Sequence, residues 1–214
     1  GVTVGHIPVR AGSARVPGKA LRYLGDKPLM CYAIEAAQGA LDVVYVNTDS
    51  DAMAELANRR GTRVYRRQAH LASAEATGDD FTADFIARVD VDTLVMISPV
   101  CPFVEASDVR EALQVFATSD CDTLITCQQT HMQTYCRGVA VNIDDAAPLA
   151  PSQNNPPVSI LNWAVTIWDT AVFQRNYARN RGGYLGTKRL LLPLPPGRCA
   201  TACVAPSELT TLSL

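Results

Sequence analysis

The stretch Ile7-Pro-Val-Arg-Ala-Gly-Ser-Ala-Arg-Val-Pro-Gly-Lys19 decides the reading of this 214-residue chain. It follows an apolar run at the N-terminus (Val2, Val4, Ile7) and carries Gly12, Gly18, the hydroxyl of Ser13 and the cations Arg10, Arg15 and Lys19. A strand that opens into such a loop presents bare backbone N–H groups and fixed positive charge at one point. Glycine lets the backbone approach a ligand closely, and Arg and Lys neutralise phosphate oxygens, so the stretch suits a polyphosphate. It matches neither G-x-x-x-x-G-K-[ST] nor G-x-G-x-x-G.

Outward from this loop, strand and helix alternate. Val2–Pro8 reads as a buried strand and Pro28–Gln38 as a helix closed by Gly39. Asp42–Asn47 reads as a strand leading through Thr48-Asp49-Ser50 into a helix that ends at Gly61. Arg63–Arg66 is a further short strand, Asp79–Val89 a helix, Asp92–Ile97 a central strand, Ser107–Thr118 a helix and Thr123–Cys127 a strand. This order predicts an α/β fold, a Rossmann-like, mostly parallel sheet with helices on both faces. The loops 9–19, 47–50, 67–77 and 98–106 leave strand carboxyl ends and are predicted to converge on one cleft. Beyond Gln128 the pattern loosens. Val139–Ile143 is predicted as a strand, 144–158 as a partner-contacting loop and Leu161–Trp168 as a strand. Asp169 is predicted to cap a helix through Arg179, Leu190–Leu194 is apolar, and Pro206–Leu212 is predicted as a short final helix.

Composition bounds the classes. The length suits one well-buried domain over residues 1–214. A formal net charge of −2 gives no electrostatic case for a nucleic-acid partner. No apolar run is long enough to span a membrane, and no signal-peptide pattern opens the chain. The chain starts at Gly1, already in a strand-like segment, which suggests a piece of a longer polypeptide, with a fused second catalytic domain among the expectations. Its seven cysteines contain no C-x-x-C pair and read mostly as small buried residues of a cytoplasmic protein.

The opening loop resembles the A-R-x-G-S-x-R-x-P-x-K signature of the cytidylyltransferases that make CMP-activated sugar acids. Arg10, Gly12, Ser13, Arg15, Pro17 and Lys19 stand at the matching places, and Leu24-Gly-Asp-Lys-Pro-Leu29 is similar to that family's G-x-K-P-L turn. Val46-Asn-Thr-Asp-Ser50 looks like its V-S-T-D segment, and Arg67-Gln-Ala-His-Leu-Ala72 like its R-P-x-x-L-A loop. Asn162 stands where the family has Asn-Gly. The resemblance implies a nucleotide site at Pro8, Val9, Arg10, Ala11, Gly12, Ser13, Arg15, Lys19, Arg67, Leu71 and Ala72. It makes Arg10, Arg15 and Lys19 the catalytic cations on CTP. It also implies a homodimer, with an arm at about residues 128–160.

Two departures stand out. The family's L-Q-P-T-S-P-L-R reads Ile97-Ser-Pro-Val-Cys-Pro-Phe-Val104 here, and its D-x-D reads Ala202-Cys-Val204. Ser98, Cys101 and Asn162 are the predicted acceptor contacts, and His131, Arg137, Arg175 and Lys188 are candidates for the acceptor's charge. Mg²⁺ is the expected partner of the triphosphate because it bridges phosphate oxygens, with Asp49 or Asp169 as the carboxylates considered. Asp49 reads equally as a helix N-cap. The rewritten fourth-strand motif turns the acceptor expectation toward a small acidic hydroxyalkylphosphonate, as in antibiotic biosynthesis. A 3-deoxy sugar acid and a non-catalytic nucleotide-binding domain are the alternatives.

Overall fold

A computed structural model describes residues 1–12 and 18–199. Ser13, Arg15, Pro17, the Ala202–Val204 run and the predicted Pro206–Leu212 helix lie outside the described residues.

In chain order the elements are β1 (Thr3–Pro8), β2 (Tyr23–Leu24), β3 (Lys27–Pro28), α1 (Leu29–Gln38), β4 (Val44–Thr48), α2 (Asp51–Arg59), β5 (Arg63–Arg66) and α3 (Gly78–Arg88). There follow β6 (Thr93–Ile97), α4 (Ala106–Thr118), β7 (Thr123–Thr130), β8 (Tyr135–Cys136), β9 (Val139–Ala140), β10 (Val158–Asp169), α5 (Thr170–Asn180) and β11 (Arg189–Pro193). The main sheet has seven strands in the order β11-β7-β10-β6-β1-β4-β5. Every neighbouring pair is parallel except the two that β10 makes with β6 and β7.

Both faces of the sheet are covered. On one, Met30, Ile34, Met53 and Val109 from α1, α2 and α4 pack on Ile7, Val46, Val95 and Ile97. On the other, Phe85 of α3 and Phe173 of α5 pack on Val4, Leu94, Met96 and Trp168. The residues of β6 alternate between the two clusters because successive strand side chains point to opposite faces, so a continuous apolar run marks a strand buried on both sides.

Local chemistry explains the element ends. Ser50 caps α2, accepting from the Met53 amide at 3.3 Å. Thr77 and Asp80 form a capping box at the start of α3. Asp169 caps α5 by accepting from the amides of Ala171 and Val172, as expected. The cap of α4 is Glu105, so that helix begins one residue before the predicted Ser107. The strand predicted over 139–143 is only Val139–Ala140. It forms a hairpin with β8 around Arg137 and Gly138, both at positive φ. After the Val141 amide, which donates to the Thr134 carbonyl at 2.9 Å, the side chain of buried Asn142 binds the Met132 and Pro156 carbonyls and the Thr134 amide, taking the place of further strand pairing. β7 runs on to Thr130 because the start of β10 pairs with it. Of the described cysteines, Cys31, Cys101 and Cys127 are buried as expected, whereas Cys136 is exposed. Among the described residues no helix is long and apolar enough to cross a membrane.

Candidate functional site

Parallel pairing in register sets the site. Pro8 pairs with Asn47 and Thr48 with Arg66, so β1, β4 and β5 end together and their following loops leave side by side. Each loop stays stitched for a further step, with the Val9 amide donating to the Asn47 carbonyl at 2.9 Å and the Arg67 amide to the Thr48 carbonyl at 2.9 Å. The Ala11 amide then donates to Asp49 Oδ1 at 2.9 Å, and Arg10 reaches the Ser73 carbonyl at 3.5 Å. Of the four loops expected to converge, those leaving β1, β4 and β5 are joined in this way among the described residues.

Arg10, Ala11 and Gly12 are exposed at this edge, and a Cβ on Gly12 would meet nothing within 4 Å. Lys19 is half-buried at the start of a 3-10 turn, Lys19–Leu21, reached through Gly18 at φ +61° and anchored by buried Ala20. The turn of 24–29 is the β2–β3 hairpin, with Gly25 at φ +68°, where a side chain is disfavoured. The Tyr32 hydroxyl donates to the Leu24 carbonyl and fastens this hairpin to α1. Leu71 and Ala72 lie half-buried at the end of a second 3-10 turn, Ala69–Leu71, above β5.

Several predicted residues stand elsewhere than expected. Asp49 does not cap α2, because Ser50 does; its carboxylate serves the Ala11 amide instead. Asp169 pairs with Thr93 at the amino end of β6, opposite the cleft, and its carboxylate caps α5, so it is no metal ligand of this site. Lys188 binds Asp120 at that same far end, His131 Nδ1 is tied to the Asn155 carbonyl at 2.7 Å, and Arg175 is exposed on α5. Arg137 lies in the β8–β9 turn. Val9 and Cys101 are buried in the larger core cluster, so Cys101 does not present its side chain as an open acceptor contact. At the end of β6 the Ser98 amide donates to the Ala164 carbonyl at 3.0 Å, two residues from Asn162. Ser98 Oγ accepts from the Val100 amide, and Asn162 Oδ1 accepts from Thr126 Oγ1 at 2.7 Å and the Ala164 amide at 3.0 Å.

Arg67 is buried rather than open. Its Nε donates to Asn47 Oδ1 at 2.9 Å, a second nitrogen donates to the Asn47 carbonyl at 3.2 Å, and the guanidinium lies 4.1 Å from the Phe81 ring centroid. Burial lowers its pKa to about 10, opposed by the Asp49 charge, so it stays a cation beneath the loops at neutral pH. Behind it, His6 stacks on Phe85 with centroids 4.5 Å apart, and its Nε2 faces Asn47 Nδ2 at 3.0 Å. Burial first, then the Arg67 charge, push the His6 pKa down to about 3. His6 is therefore neutral. Because Asn47 Oδ1 is taken by Arg67, Asn47 Nδ2 donates to Nε2, and the ring proton sits on Nδ1, which has no partner among the described residues. The sequence reading missed His6 and Asn47. The available signals were a histidine inside an apolar strand and an asparagine closing Val-Tyr-Val, which mark buried polar groups in need of partners.

No group of three His, Cys, Asp or Glu side chains able to hold a metal ion occurs among the described residues. What the site offers is exposed backbone, cations at two depths, and one carboxylate that already holds a loop amide.

The comparisons with known proteins agree with this geometry. A family model described as cytidylyltransferase matches residues 4–147. An N-acylneuraminate cytidylyltransferase of Streptococcus agalactiae is 30% identical over 125 residues, covering 56% of this chain and 30% of that protein. A 3-deoxy-manno-octulosonate cytidylyltransferase of Geobacter metallireducens is 35% identical over 109 residues, covering 50% and 41%. The chain thus spans less than half the length of these two relatives. A solved CMP:2-keto-3-deoxy-manno-octonic acid synthetase, complexed with CTP, superposes with a TM-score of 0.72 at 16% identity, covering 99% of this chain and 96% of that one, which shows a shared fold. With the family model covering well over half of its residues, the chain belongs to the cytidylyltransferase family.

Proposed function

We propose that this chain transfers CMP from CTP to a sugar acid and releases pyrophosphate. The observation that supports it most is the cationic edge at the carboxyl ends of β1, β4 and β5, where exposed Arg10 stands beside the open backbone of Ala11 and Gly12 and buried Arg67 lies beneath. In the reaction an acceptor hydroxyl oxygen bonds to the α-phosphorus and gives up its proton to water. The bond from that phosphorus to the bridging oxygen breaks, and pyrophosphate leaves with the electron pair. The protein's task is to hold the phosphates in line and neutralise the departing charge. Arg10, Arg15 and Lys19 are assigned to the phosphates, with the Gly12 amide assisting.

Mg²⁺ fits this site as a metal carried chiefly by the phosphate oxygens and water. Asp49 is a carboxylate at this edge, and one of its oxygens is already engaged by the Ala11 amide. The sugar-acid reading follows the names of the relatives. The phosphonate expectation rested on the altered fourth-strand loop, yet Cys101 and Val104 are buried in the core, so these two changes repack the interior and do not redraw an open pocket. The arm supports a homodimer: Met132, Val139, Val141, Leu149 and Ile160 are large apolar side chains left exposed within or beside it.

The test is pyrophosphate release from each of the four nucleoside triphosphates with Mg²⁺, against a panel of an N-acylneuraminate, 3-deoxy-manno-octulosonate and a small hydroxyalkylphosphonate. Release from CTP with a sugar acid is expected. Release with the phosphonate alone overturns the acceptor class, and CTP binding without any release favours a non-catalytic nucleotide-binding domain.

A further inference from the structure

β10 is interrupted where it passes the cleft. Leu161 pairs with Cys127 and Thr166 with Ile125, so the residues 162–165 face the single residue Thr126. Inserted residues of this kind re-aim a side chain, and they gather beside functional sites. Here the re-aimed residue is Trp163, held at φ +56°, a left-handed backbone that a bulky side chain rarely adopts. Three hydrogen bonds enforce it. Thr126 Oγ1 donates to Asn162 Oδ1 and accepts from the Val165 amide at 3.0 Å, and the Ala164 amide donates to Asn162 Oδ1. Strain that the surroundings over-determine in this way points to a use for the side chain it positions.

The placement suggests the use. Trp163 lies just past the carboxyl end of β6, one residue from the carbonyl that binds the Ser98 amide. Its indole is half-exposed, with its centroid 5.5 Å from that of Tyr184 at an interplanar angle of 40°. The two rings wall a cavity of about 480 Å³ whose lining includes Leu185, Asp79, Asn176 and Arg179. That volume falls within the range of small-ligand sites, about 300–1,000 Å³. The mixture of aromatic faces with amide, carboxylate and guanidinium groups suits a sugar. The negative face of an indole attracts the polarised C–H groups of a pyranose, while the polar groups match hydroxyls and exocyclic substituents. A bare phosphate needs no aromatic wall.

We propose that Trp163 is a specificity-determining residue of the acceptor subsite: its indole stacks on the acceptor's sugar ring, and the cavity behind it receives the exocyclic arm. This rests on the CMP-transfer reading above. Glycine is the substitution to test, because it adopts the left-handed backbone without strain and deletes only the indole. Wild type, Trp163→Gly and Trp163→Phe are compared for pyrophosphate release with CTP and the sugar acid that the wild type accepts. The glycine variant is expected to raise the acceptor KM at least about tenfold, with the CTP KM within about twofold of wild type. The phenylalanine variant is expected to recover most of the loss. An unchanged acceptor KM in the glycine variant overturns the role of Trp163 while leaving CMP transfer standing. Wild-type protein that turns over no sugar acid overturns the acceptor reading and this assignment together.

Discussion

Asp49 Oδ1 accepts the backbone N–H of Ala11 at 2.9 Å, joining two loops that lie 38 residues apart. The loop after β4 thereby shapes the loop after β1. Ala11, at the exit of β1, is held by an acceptor that the neighbouring strand's loop supplies.

Asp49→Ala is expected to raise the CTP KM about tenfold, equivalent to about 1.4 kcal/mol. Asp49→Asn keeps an acceptor oxygen and is expected to recover most of the loss. Steady-state kinetics with CTP varied decide it, and equal KM values in the alanine variant and wild type would remove this contact from nucleotide binding.

Lys19→Ala is expected to lower kcat/KM by about 10²-fold or more, the scale seen when a group stabilising transition-state charge is deleted. Far-ultraviolet circular dichroism is expected to be unchanged. Near-wild-type turnover would exclude Lys19 from the phosphate site.

Arg67→Met leaves the Asn47 side-chain oxygen without its donor in a buried place, while the Asn47 carbonyl keeps the Val9 amide. The expected cost is about 1–3 kcal/mol of folding stability. Urea denaturation reads this directly, and an unchanged midpoint would show that Arg67 is dispensable to the fold.

Stability is expected to fall as the medium is acidified from pH 6.5. The folded-state pKa of His6 is about 3 against an ordinary 6.5, so within that window the unfolded chain takes up a proton that the folded chain refuses. The contribution is fully present above pH 6.5 and is lost at up to about 1.4 kcal/mol per pH unit below it. Asp80 adds a separate loss below its ordinary 3.8, because the Tyr177 hydroxyl first, then Thr77 and Arg181, hold its carboxyl low. Urea midpoints at pH 7.5 and 5.0 are expected to converge in His6→Gln, and an undiminished pH dependence in that variant would clear His6 of the effect.

Val139→Asp together with Met132→Glu places charge on two exposed apolar side chains of the arm. Light scattering coupled to size exclusion is expected to show a dimer for wild type and a monomer for the double variant. A monomeric wild type would end the dimer reading.

Much of the architecture was legible because it is written in local chemistry. Thr-Leu-Val-Met-Ile at 93–97 announces a strand buried on both faces, and Asp169 announces a helix cap. The convergence of the 9–19, 47–50 and 67–77 loops follows from alternating strands and helices alone. Less legible were residues whose meaning depends on a distant partner. Asp49 reads equally as a cap or a ligand until Ala11 is seen beside it. Cys101 and Val104 read as altered pocket residues until their burial shows them to be core.

By itself the sequence determined the order and kind of the main elements, the placing of cations and glycines at the first strand's end, and membership of a nucleotide-handling fold. Periodicity, caps and short-range motifs act within a few residues and need no tertiary contact to be read. Only the tertiary structure decided that β10 runs against its neighbours, that Arg67 lies beneath the loops with Asn47 and neutral His6, and that Trp163 is turned by an interrupted strand against Tyr184. Each of these is a pairing between distant segments, from Arg67 and Asn47 at 20 residues apart to the β10–β6 pair Val165 and Ile97, and strand register becomes fixed only when the hydrophobic faces close on each other.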